Sequence, residues 1–81
     1  MPTPMRIELE REGEKWIAEV LDLPGVMVYG ETQAEAILQA KVLALRVIAD
    51  RMEHGESVPD SLEFMVLGET ATDPRASGRS A

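Results

Sequence analysis

Between Trp16 and Ala36 the chain passes from the hydrophobic period of a strand to that of a helix, and proline and glycine punctuate the change. Trp16-Ile17-Ala18-Glu19-Val20-Leu21 reads as a strand running into Leu23-Pro24-Gly25. Pro24-Gly25 suits the central pair of a type II turn, because proline presets φ and glycine accepts a positive one. Asp22, just before that turn, is placed to bond the turn's N–H groups with its carboxylate. Val26 to Tyr29 is a short third strand, and Gly30 then frees the chain to turn. Thr32 and Glu35 have the spacing of a capping box. The helix they open runs from about Gln33 to His54 and stops at Gly55, a natural residue for the position after a helix C-cap.

The flanking segments complete a small sheet. Met5 to Arg11 alternates, with Ile7 and Leu9 apolar and Arg6, Glu8 and Glu10 charged. Glu12-Gly13-Glu14 is a turn, and Lys15 to Leu21 is the second strand of an antiparallel hairpin. Trp16, Ala18 and Val20 share its core face, and Lys15, Ile17 and Glu19 share the other. Ser57 to Ser61 is a connector, and Leu62 to Leu67 is a fourth strand. The order is β-β-β-α-β. A crossover through the helix from strand three to strand four lets the fourth strand pair in parallel with the first, and a right-handed crossover is then expected. The expected fold is α+β, one four-stranded mixed sheet of order 3-2-1-4 with one long helix on one face. Residues 1–67 form one domain, and the polar residues 68–81 are expected to be a disordered tail.

At 81 residues without cysteine, the chain has no disulfide to stabilise a small core. Its one histidine, His54, makes a structural zinc site an unsuitable substitute. Oligomerisation is the remaining common stabiliser. The net charge of −7 and the lack of a basic stripe argue against a nucleic-acid surface. An acidic chain suits a basic protein partner, or simply stays soluble. No apolar stretch is long enough to span a bilayer, and the N-terminus lacks a signal-peptide layout. A cytoplasmic location is expected.

The helix carries two apolar stripes. Ala36, Ile37, Ala40, Leu43, Ala44, Val47 and Ile48 fall on one broad face, where three alanines let the helix approach the sheet closely. Leu38, Val42, Leu45, Ala49 and Met52 form a second stripe, spaced as in a heptad seam. A helix on one sheet buries one face, so the second stripe is expected to be an oligomer interface.

The segment Trp16–Ala36 resembles the HicB family of antitoxins, whose N-terminal domain carries an "aevPdLPGc…GdTleEAl" pattern. The resemblance covers roughly residues 5–67, and Gly55-Glu56-Ser57-Val58-Pro59 extends it beyond the helix. It implies a partial RNase H-like fold. It also implies a partner, since HicB binds a small basic toxin, HicA, which resembles a double-stranded-RNA-binding domain and cleaves mRNA using a histidine. Many HicB proteins add a C-terminal DNA-binding domain. The residues after Leu67 are too few for one, so no direct DNA binding is expected. Positions like Leu38 and Val42 are often polar in the family, and the departure points to an interface particular to this subgroup.

RNase H-like enzymes hold metal ions with clustered carboxylates. Here Glu8 and Glu10 share the outer face of strand one, Glu63 lies on strand four and Glu35 opens the helix. Arg6 and Lys15 share that outer face, and a solvated acidic surface accounts for the same residues. The HicB domain is understood to lack nuclease activity, so neither an enzyme nor a metal or other cofactor is expected. His54 is expected at the helix C-terminus in a capping role. Ser57 and Ser61 belong to no nucleophile motif. The expected partner site is the acidic outer face: Glu8, Glu10, Ile17, Glu19, Glu63 and Met65. Two functions remain open. One is an antitoxin-type module that neutralises a HicA-like toxin by protein contact. The other is a solitary oligomeric relative with a different partner and no toxin.

Overall fold

A computed structural model describes residues 3–67. The expected tail, 68–81, lies outside the described residues. Strand β1 (Met5–Glu12) and strand β2 (Lys15–Val20) form the hairpin. Strand β3 (Met27–Gly30), helix α1 (Gln33–Glu53) and strand β4 (Phe64–Leu67) follow. The sheet order is β3-β2-β1-β4, with β4 parallel to β1 and the other pairings antiparallel. The α+β fold and the sheet order expected from the sequence are both present.

The register explains the alternation along β1. Ile7 faces Val20, and Leu9 faces Ala18. Met5, Ile7 and Leu9 are buried beneath the helix, while Arg6, Glu8 and Glu10 are exposed on the opposite face. Trp16, Ala18 and Val20 join the same core, together with Leu23 and Val26 from the loop. From α1 come Ala36, Ala40, Ala44 and Ile48, one residue per turn. Three of the four are alanines, so the helix backbone sits close to the sheet. Ile37, Leu43 and Val47 pack along the rim of this row.

The loop before β3 departs from the sequence reading in its bounds. Val26 is not the first residue of β3. Its N–H donates to the Leu23 carbonyl at 3.1 Å, and its carbonyl accepts from the Val20 N–H at 2.9 Å. The first bond closes the turn around Pro24 and Gly25, where Gly25 has φ of 90°, the geometry expected of a type II turn. Asp22 does not bond the turn. Its carboxylate accepts the Arg6 N–H at 2.8 Å and the Arg6 guanidinium at 3.0 Å, and so ties the loop to β1.

Gly30 also has a different role from the one expected. Its φ is not positive, and it is the last residue of β3 rather than a turn. A Cβ there would lie 2.6 Å from the backbone nitrogen of Ala36 and 2.8 Å from its Cα. Glycine is needed because the first turn of the helix crosses directly over this strand end.

Both helix ends are closed. The Thr32 hydroxyl accepts the Glu35 N–H at 3.0 Å. Glu35 reaches back to the N–H of Glu31, one residue before the N-cap, rather than to Thr32 itself. At the other end, His54 is the C-cap. The Glu56 N–H donates to the Arg51 carbonyl at 2.8 Å, and the Gly55 N–H to Met52 at 3.2 Å. With Gly55 at φ of 68°, this is a Schellman motif. The His54 Nδ1–H donates to the Asp50 carbonyl at 2.7 Å, which gives the imidazole the capping role expected of it.

Candidate functional site

The face of the sheet turned away from α1 carries the charge. Crossing it from edge to centre, Tyr29 lies beside Ile17 and Ile17 beside Glu10. In the next row Met27 lies beside Glu19, Glu19 beside Glu8, and Glu8 beside Leu67 of β4. Arg6 and Met65 form the row beyond. All of these positions follow from the period-two alternation that buries the other face.

Glu8 and Glu19 are directly opposed across the antiparallel pair, and both are exposed. Like charges in that relation disfavour the sheet. The cations of the face do not offset them. The Arg6 guanidinium is held by Asp22, and the Lys15 ammonium by Glu31. Hydrogen bonding to Asp22 raises the pKa of Arg6, and bonding to Glu31 raises that of Lys15. The same pairing, chiefly through the Arg6 side chain and then its backbone N–H, holds the Asp22 carboxyl below its ordinary value. Among the described residues, Glu8, Glu10 and Glu19 have no ion-pair partner. The result is an acidic patch on a face whose cations Arg6 and Lys15 are engaged elsewhere.

The structure brings together part of the site expected from the sequence. Glu8, Glu10 and Glu19 cluster as expected. Glu63 does not join them. It precedes β4, and because Glu8 is level with Leu67, Glu63 lies four positions away, about 13 Å along the strand direction. Ile17 lies on the expected face but is only 8% exposed, so it forms the floor of the patch and offers little surface to a partner. Met65 is on this face and exposed. The sequence reading missed Met27 and Tyr29, which are 49% and 54% exposed. Both lie within the strand expected at Val26 to Tyr29, but Val26, Met27, Val28 and Tyr29 are all apolar or aromatic, so no polar alternation marks which of them face outward.

Other features give no alternative centre. Among the described residues, no group of three or more His, Asp or Glu side chains is placed to hold a metal ion. Glu35 is engaged at the helix start, away from Glu8 and Glu10. A cleft of about 370 Å³ opens between the start of β1 and the connector, lined by Thr3, Asp22, Arg51 and Asp60 among others. Its Asp22 is already bound by Arg6. No helix among the described residues is long and apolar enough to cross a membrane.

The second helical stripe is where the sequence placed it. Leu38, Val42, Leu45, Ala49 and Met52 are all exposed, Leu38 and Met52 at 59% and 65%. They lie about 140° round the helix from the buried row. Comparison with family models, with curated proteins and with solved structures finds no match for this chain.

Proposed function

We propose that this chain is an antitoxin-type binding module that neutralises a small basic, HicA-like mRNA-cleaving toxin by protein–protein contact, in the cytoplasm and without catalysis of its own. The observation that carries the reading is the directly opposed, unpaired pair Glu8 and Glu19 on an exposed sheet face. A free protein is penalised for that arrangement, and a cationic partner removes the penalty. Tyr29 and Met27, exposed on the same face as the carboxylates, supply the aromatic and thioether contacts that interface cores favour. The resemblance of Trp16–Ala36 to the HicB domain supports the choice of partner.

The test pairs co-expression with kinetics, using a short, basic, histidine-containing protein encoded beside this one. The chain should rescue growth from that protein. The Glu8→Lys, Glu19→Lys double variant should slow association about tenfold or more, and added salt should slow the wild type likewise. Full rescue with an unchanged association rate in the double variant would exclude this face. The second reading, a solitary oligomeric accessory protein without a toxin, is favoured by the exposed helical stripe. It predicts no rescue of any neighbouring toxin.

A further inference from the structure

The sheet has two faces and the helix covers one, yet the helix itself keeps an apolar seam open to solvent. The geometry points to a second copy of this chain as what covers it, packed antiparallel with the two-fold axis at Leu45.

Three observations select that occupant. The first is the chain's own sequence beyond β4. Residues 68–81 contain no Val, Ile, Leu, Met, Phe, Tyr or Trp, so they hold no large apolar side chain to lay over the seam. The second is charge. The residues flanking the seam carry both signs: Lys41 on one side, and Glu35, Gln39, Arg46, Asp50 and Glu53 on the other. Lys41 is drawn toward the sheet, its Nζ 5.8 Å from the Phe64 ring centre. Such a seam does not call for a partner of opposite charge, in contrast to the acidic sheet face.

The third is the order of side-chain sizes. Reading outward from Leu45, the seam has Val42 in one direction and Ala49 in the other, then Leu38 and Met52. An antiparallel copy centred on Leu45 sets Val42 against Ala49 and Leu38 against Met52. The small Ala49 is then covered by the larger Val42, Leu38 packs on Met52, and Leu45 meets itself on the axis. A parallel copy would set Ala49 against Ala49 and leave that layer underfilled between larger pairs. The antiparallel arrangement also opposes the two helix dipoles. It puts the two acidic sheet faces on the outside of the dimer, free for partners. Two copies each of charge −7, with Arg46 of both beside the axis, repel electrostatically, so the dimer tightens as salt rises. That is the opposite salt dependence to the one proposed for the acidic face.

The chain has no cysteine, which makes a thiol test clean. Light scattering of the wild type should give twice the chain mass, and Leu45→Glu should give the chain mass with an unchanged far-UV circular dichroism spectrum. Under mild oxidation Leu45→Cys should cross-link to itself. Leu38→Cys and Met52→Cys should not cross-link alone but should cross-link when mixed. If Leu45→Glu fails to fold, the cysteine series decides. A wild type that is monomeric at millimolar concentration would overturn the proposal. So would self-cross-linking at all three positions, which would mean a parallel pair, or cross-linking at none. The experiment uses this chain alone, so its failure is separable from failure of the toxin-binding reading.

Discussion

Glu8 and Glu19 face each other across the central antiparallel pair of the sheet, on the surface, with no cation between them. A sheet selected only for stability would place opposite charges or a Thr pair there. The arrangement makes one substitution do two opposite things. Glu19→Gln should stabilise the free domain by about 0.2–1 kcal/mol. The same change should slow association with a basic partner. Urea unfolding and binding kinetics on one preparation measure both effects, and a variant that lost stability would show that the opposed pair is not a local cost.

The patch should respond to position rather than to charge count. Glu63 lies about 13 Å along the strand direction from the level of Glu8. Glu63→Lys should therefore slow association with the basic partner less than Glu8→Lys does, although both alter net charge equally. Equal effects would mean that long-range steering by the whole chain, and not this patch, governs binding.

Tyr29 and Met27 should act on the lifetime of the complex. They are exposed side chains of β3 on the acidic face, Met27 beside Glu19 and Tyr29 beside Ile17. Tyr29→Ala should raise the dissociation rate while leaving association within about twofold, because apolar contacts form after encounter. Stability should change little, since neither residue belongs to the core. Surface plasmon resonance of the single variants checks this division of labour.

Gly30→Ala tests the fold beneath the site. The added Cβ would meet backbone atoms of Ala36 at 2.6 and 2.8 Å, which cannot swing aside as a side chain could. Overpacking of this kind costs about 1–3 kcal/mol. The urea midpoint should fall accordingly, and an unchanged midpoint would mean that the helix start does not rest on β3.

The Asp22–Arg6 tie should leave a signature in pH. The Asp22 carboxyl is held below its ordinary value, so the fold favours its ionised form. Its contribution is present above the unfolded value, about 3.9, and is lost as pH falls through the lowered folded value. The group is near the surface, so the contribution stays below about 1 kcal/mol. The stability gap between wild type and Asp22→Asn should shrink as the solution is acidified from neutrality. A gap that widened on acidification would contradict the pairing.

The sequence and the structure agree where local chemistry decides. Alternation in β1, the Pro24-Gly25 turn, the Thr32 cap and the Gly55 stop each act within a few residues, and each element they specify is present. The parallel pairing of β4 with β1 follows from the helix crossing over between β3 and β4, which the element order alone suggests. What was not legible depends on register and tertiary approach. Gly30 looked like a turn residue because nothing local reveals that Ala36 sits above it. Ile17 lies on the face expected of it, but its burial there is set by tertiary packing rather than by the alternation, and its cross-strand neighbours are Glu10 and Tyr29. Asp22 found its donors sixteen positions away on Arg6, beyond the reach of a turn motif. Glu63 was grouped with Glu8 by strand identity alone, and the parallel register separates them.

The most direct test of the central claim is the association rate of the chain with a small basic protein of the proposed HicA-like kind, wild type against the Glu8→Lys, Glu19→Lys double variant, at low and at physiological salt. The account predicts a rate about tenfold or more lower for the variant, with the wild-type rate falling as salt rises and the variant's salt dependence largely removed. Equal rates and equal salt dependence for the two proteins would contradict it.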